Sequence, residues 1–145
     1  MRRRSAGALF FVVGLLTAGC TTHRVDQPPQ IRYGEEPCAF CGMLISEERF
    51  ATAMAAAGQA QVFDDLGCLL RARARDSGTA TRIWVHDETS GQWLEAQRAW
   101  FVRSREVPTP MGGGLVAFST KNAAEQFARE VHGTVVRFAE LAQAN

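Results

Sequence analysis

The sequence predicts an α+β fold in which two ββα-like units share a mixed sheet, behind a signal peptide and a flexible tether. Three observations lead there. The apolar stretch Phe50 to Ala57 is closed by Gly58 and followed by Ala60 to Phe63, a hairpin pattern that runs directly into a capped helix. The second half repeats the order, with Trp100-Phe101-Val102 and Leu115 to Phe118 as strand material before another capped helix. The two junctions also resemble one another: Val62-Phe63-Asp64-Asp65 in the first half, Ala117-Phe118-Ser119-Thr120 in the second.

Each element has a local cause. Asp64-Asp65 supply an N-cap and negative charge for the first helix, whose apolar face is Leu66, Leu69 and Leu70. Arg71, Arg73 and Arg75 crowd its C-terminal end, and Asp76-Ser77-Gly78 stop it. Arg82 to His86 reads as a strand with Ile83 and Val85 on one face and His86 turned outward. Thr89-Ser90-Gly91-Gln92 is a turn, and Trp93-Leu94 returns as a strand. Thr109-Pro110-Met111-Gly112-Gly113-Gly114 excludes helix and reads as a loop. Ser119-Thr120 cap a helix whose stripe is Ala123, Ala124, Phe127, Ala128 and Val131. Gly133 ends it, and Thr134 to Phe138 is the last strand.

The first twenty residues have the character of a secretory signal. Arg2-Arg3-Arg4 form a positive start, and Ala6 to Leu16 is an apolar run too short to span a bilayer comfortably. Leu16-Thr17-Ala18-Gly19-Cys20 looks like a lipobox, which makes residues 1–19 a lipoprotein signal peptide and Cys20 the lipidated first residue of the mature chain. Thr21 stands where Asp would favour inner-membrane retention, so an outer-membrane lipoprotein facing the periplasm is expected. Residues 20–36 follow as the lipidated cysteine and a flexible tether centred on Gln27-Pro28-Pro29-Gln30. Residues 37–145 form the domain. Removing the three signal arginines takes the formal charge from +1 to about −2, which leaves no electrostatic footprint for nucleic acid. With Cys20 acylated, an odd set of thiols remains, Cys38, Cys41 and Cys68.

The chemistry concentrates in Cys38-Ala39-Phe40-Cys41-Gly42-Met43, two thiols and a thioether within six residues. Soft ligands of this kind suit Cu(I). The Cu(I) candidates are Cys38, Cys41, Met43, Cys68, Met111 and His132. Met111 sits between Pro110 and three glycines, where a thioether has little secondary structure to pack against. Cys68 lies on the apolar helix face beside Leu69, and a buried inert thiol is the plainer reading there. His132 precedes Gly133 at a helix end, where a capping cation is also favoured. Two other readings stay open on the residues alone. A thiol-disulfide oxidoreductase would use Cys38 and Cys41, though such a pair belongs between a strand and a helix. A zinc-stapled interaction lipoprotein would need a fourth ligand, from His86 or His132. No general acid/base pair or oriented nucleophile is visible, so no enzyme is expected.

Together, Cys38-x-x-Cys41-Gly42-Met43 after a lipoprotein tether, Phe63-Asp64-Asp65-Leu66-Gly67-Cys68, and Thr109-Pro110-Met111-Gly112-Gly113-Gly114-Leu115-Val116-Ala117-Phe118 resemble the NosL family, accessory lipoproteins of nitrous oxide reductase. The likeness runs from about Glu36 to Val136. It implies a copper chaperone that delivers Cu(I) for maturation of the reductase's copper-sulfur centre, working with nitrous oxide reductase and a NosDFY-type transporter complex. It also implies a fold of two ββα units, with Cys41, Met43 and Met111 as the natural copper ligands and His132 as a further one.

Overall fold

The computed structural model describes residues 26–56, 58–75 and 80–143. The signal peptide and Cys20 lie outside them. Two sheets, both antiparallel, carry the chain. The first has the strand order β2-β1-β3-β4, from β1 (Thr52–Ala56), β2 (Gln59–Phe63), β3 (Ala80–His86) and β4 (Trp93–Glu95). The second has the order β6-β5-β7, from β5 (Trp100–Arg103), β6 (Leu115–Phe118) and β7 (Thr134–Arg137). Helix α1 (Leu66–Arg75) follows β2, α2 (Lys121–Glu130) follows β6, and a short α3 (Phe138–Gln143) ends the chain.

The α+β class and the paired ββα units therefore hold, while the shared mixed sheet takes a different form. Among the described residues, one parallel bridge joins the two sheets, Asp87 with Ala117, where the Glu88 N–H donates to the Ala117 carbonyl at 2.8 Å. β3 stops one residue short of this bridge, and Asp87 turns the chain away through its contacts with Thr89 and Ser90. The pairing cannot propagate further.

The internal resemblance between the halves is real in topology. Each half runs β-β-α-β, and each places its first strand between the other two. Thr52 pairs with Phe63 and Val85 in the first half, and Trp100 with Phe118 and Arg137 in the second. Phe63 and Phe118 each end a strand two residues before a helix cap. The Asp65 carboxylate accepts from Cys68 N–H at 2.8 Å, and the Thr120 hydroxyl from Ala123 N–H at 3.3 Å. Helix α2 ends in a Schellman motif: His132 adopts φ +46° and the Gly133 N–H returns to the Ala128 carbonyl at 2.8 Å.

Three local expectations change. Residues 31–36, counted with the tether, are docked on the domain: Ile31 and Tyr33 pack against the core, and Gly34 donates to Ile45 at 2.8 Å. The last strand stops at Arg137, whose N–H is capped by Glu140 at 2.7 Å, and α3 then sends Phe138 and Leu141 into the first unit's core. His86 is buried, as are Ile83, Trp84 and Val85 before it, because both faces of β3 are covered. Alternation along a strand marks the outward face only when one face is left to solvent.

The His86 Nδ1–H donates to the Ala51 carbonyl at 2.9 Å, and the ring stacks on Trp93 at 3.7 Å. Burial holds its pKa below the ordinary 6.5, opposed by the Ala51 bond and by Glu48. A lowered imidazole pKa means the unfolded chain binds the proton first, so its contribution is present above pH 6.5 and fades as the pH falls below it. The expected outcome is a loss of unfolding free energy on acidification from pH 7, by at most about 1.4 kcal/mol per pH unit. His86→Gln keeps a donor toward Ala51 and should flatten that slope in urea titrations. Raised carboxyls at Asp64 and Glu88 change stability in the opposite sense in both proteins, so the difference isolates the imidazole.

Candidate metal centre

The Cys-x-x-Cys segment is the tip of a tight loop. Its stem pairs Pro37 with Leu44, and the Ile45 N–H donates to the Glu36 carbonyl at 3.0 Å. Inside the stem, Cys38 N–H donates to Met43 and Gly42 N–H returns to Cys38, at 2.8 and 2.9 Å. The turn needs φ +76° at Gly42, a conformation that glycine adopts without strain. Ala39 N–H then bonds the Val62 carbonyl at 2.9 Å and fixes the tip against the end of β2. Two residues beyond Val62 the chain turns into α1, and Cys68 sits in that helix's first turn.

These constraints bring three sulfur atoms together. The Sγ atoms of Cys38, Cys41 and Cys68 all lie within 4.8 Å of one another. Ligands at about 2.3 Å around one ion stand roughly 4 Å apart, so small rotamer changes suffice for all three to share a metal. No fourth His, Cys, Asp or Glu among the described residues joins the group. A closed four-ligand zinc staple is therefore not built here. The Cys38–Cys41 pair lies at a loop tip and not at a helix start, and a third thiol lies within 4.8 Å of both. That is not the arrangement the oxidoreductase reading needed.

The three thiols differ in exposure and ionisation. Cys38 is 3% exposed and Cys68 fully buried, whereas Cys41 is half-buried and gives the cluster its access to solvent. Burial raises the Cys38 pKa, but the backbone N–H groups of Cys41, Asp64 and Phe40 all point at its sulfur and bring the net shift below the ordinary thiol value. Cys68 is pushed upward by burial and then by the Cys38 charge, so ionisation is favoured at Cys38 over Cys68. Asp64 is buried with Oδ1 unpartnered, and its carboxyl pKa is raised by burial and by the neighbouring Asp65 and Glu47 charges. Arg71 partly offsets the rise at Cys68. Its guanidinium, at 5.6 Å, and that of Arg75, at 4.5 Å, lie over the Phe40 ring.

The other expected ligands are distributed differently. Met111 is partly buried against the same core cluster as Cys38 and Cys68, and its N–H donates to Asp65 Oδ2 at 3.0 Å. Met43 contributes its carbonyl to the loop stem, while its side chain is 56% exposed. His132 stands on the second unit, exposed and held by Glu106 at 2.9 Å. It is not among the donors brought to the thiols. Sequence reasoning gave Asp65 a capping role only. Its second oxygen reaches 46 residues along the chain, a contact that no local pattern signals.

Fold and site together define a small metal-binding α+β domain, two ββαβ units with a three-thiol cluster at one helix start. The chain belongs to the NosL family, whose model matches residues 30–145. Its structure is similar to the crystal structure of the copper chaperone NosL from Shewanella denitrificans, with a TM-score of 0.74 and 25% identity. That match covers 82% of this chain and 98% of the other. Comparison with curated proteins gives no significant sequence match.

The amide cage predicts a measurable thiolate. Ultraviolet titration at 240 nm of the reduced, metal-free protein should show one thiol ionising below the ordinary value near 8.5. Cys38→Ser should remove that early step, and a titration unchanged by the substitution would contradict the assignment.

Proposed function

We propose that the protein is a Cu(I)-binding chaperone. It would be anchored in the outer membrane through Cys20, face the periplasm, and supply copper for the copper-sulfur centre of nitrous oxide reductase by way of a NosDFY-type transporter complex. The observation that carries this reading is the convergence of Cys38, Cys41 and Cys68 within 4.8 Å, with Met111 beside the same core cluster. Family membership and the likeness to a relative described as a copper chaperone support the choice of metal. An all-sulfur set without a fourth hard ligand favours the monovalent ion, since thiolate and thioether are soft donors.

The geometry suits transfer better than turnover. The amide cage lowers the cost of ionising Cys38, so copper meets a thiol that gives up its proton more readily than an ordinary one. Cys68 is the inner, buried ligand. Cys41 is the accessible one, where a partner's sulfur or nitrogen can bind before the copper leaves. An open, three-thiol set with a thioether nearby permits such associative exchange, because no closed shell has to break first. The reading assigns copper to Cys38, Cys41, Cys68 and Met111. It leaves His132 to its ion pair with Glu106 and Met43 to the exposed surface beside the cluster.

Anaerobic titration of residues 26–145 with Cu(I) against a competing chelator tests the assignment. One copper per chain is expected. Serine at Cys38, Cys41 or Cys68 should weaken binding by more than about tenfold each (about 1.4 kcal/mol). His132→Ala should change it by less than about twofold, within the range of a surface substitution. Affinity indifferent to all three cysteines would remove the metal reading altogether.

A further inference from the structure

We propose that Asp65 is the positioning residue for the Met111 thioether, and that it ties the seat of this ligand to the helix turn bearing Cys68. The inference rests on the copper reading above and deepens it. Asp65 is 2% exposed, and both of its carboxylate oxygens are committed. Oδ1 accepts the Cys68 N–H at 2.8 Å, and Oδ2 accepts the Met111 N–H at 3.0 Å. One rigid, planar group thus sets two metal-site residues from different units at a fixed spacing.

The Met111 loop is built to need such a partner. Its base is fixed to its own unit: the Thr109 hydroxyl accepts from Gly114 N–H at 3.1 Å, and the Gly114 carbonyl accepts from Ser104 N–H at 2.9 Å. Gly114 has φ +59°, and a Cβ there would lie 1.9 Å from the Ser104 carbonyl oxygen. Within the loop, the Gly112 N–H closes a turn onto the Thr109 carbonyl at 2.9 Å, but this bond does not tie the tip to the first unit. Gly113 lies flat on α1, where an added Cβ would sit 3.7 Å from the Gly67 Cα. Among the described residues, the Met111–Asp65 bond is the hydrogen-bonded link between the tip and α1. Remove that acceptor, and the loop keeps its own turn but loses the hydrogen bond that seats Met111 against the helix turn bearing Cys68.

Asp65→Asn separates the two roles. Asparagine has one acceptor oxygen and one donor nitrogen, so it cannot take both N–H groups. As a good N-cap it keeps the bond to Cys68 and surrenders the one to Met111. Cu(I) affinity is measured by chelator competition for the unaltered protein, Asp65→Asn, Met111→Ala and the double variant. Each single change should weaken binding by about tenfold, the range for loss of a supporting partner. The double variant should be no weaker than Met111→Ala alone. Additive losses would overturn the proposal, because Asp65 would then act without the thioether. No loss in Met111→Ala would also overturn it, by removing Met111 from the ligand set while leaving the three-thiol site intact.

Two spectroscopic readouts separate positioning from general support. In methyl-labelled protein, the Met111 methyl signal should shift on Cu(I) addition, and this shift should shrink in Asp65→Asn while one copper per chain still binds. An equal shift in both proteins counts against the proposal. Amide exchange in the unaltered, metal-free protein needs no variant. The Met111 N–H should be protected by at least about tenfold relative to an open loop, and exchange at the open-loop rate would show that the clasp does not exist in solution.

Discussion

A buried carboxylate must be compensated, and in this molecule that requirement organises the site. Asp65 cannot reach solvent, so its oxygens have to find donors inside the protein. The first donor is the backbone of α1 itself, which fixes where the helix starts and therefore where Cys68 points. The second comes from the other unit and fixes how the glycine-rich loop lies. Thr52, on the central strand of the first sheet, donates its hydroxyl to the Asp65 carbonyl at 3.4 Å and adds a tie to β1. The core cluster that spans both units, with Phe101, Leu115 and Phe138 packed among first-unit residues, closes around this junction.

The thiols depend on the same region of backbone. Cys38 comes from a loop pinned to Val62, Cys68 from the helix that Asp65 caps, and the amide between them, Asp64 N–H, points at the Cys38 sulfur. Ionisation is thereby favoured at Cys38 and disfavoured at Cys68. A free site that carried three thiolates would repel itself and open. One that carried none would bind copper only after losing protons from buried groups. Ionisation favoured at Cys38 over Cys68 lies between these limits, and Cys41 is the accessible thiol of the three.

Much of the fold was legible because its signals are local. The Gly58 hairpin, the caps at Asp65 and Thr120 and the Gly133 stop each depend on a few neighbouring residues. The readings that changed required tertiary information. His86 follows the outward phase of a strand, yet its strand is covered on both faces. Phe138 extends an apolar run, yet Glu140 caps Arg137 and bends the chain into α3. Cys68 looked like an inert core residue because it does lie on an apolar helix face. Only the loop docked on Val62 brings two more thiols to it. His132 carried a plausible ligand chemistry, but its place at the end of α2 set it beside Glu106.

The duplicated topology makes the difference between the two halves informative. At matching places in the two units stand Asp65 and Thr120, each capping its helix through the third residue on. A threonine hydroxyl presents a single oxygen, so any further partner must meet it at the same point where it accepts Ala123 N–H. A carboxylate presents two, and the second is free to accept a donor from elsewhere. The position matching Cys68 is Ala123, so the second helix has no thiol to support and no use for a second acceptor. The two units have divided the work accordingly. The first supplies the sulfur cluster and the doubly used cap, and the second supplies the loop whose Met111 N–H that cap accepts. Neither half contains both the three thiols and Met111, so the bond from Met111 to Asp65 forms only once the two units have packed.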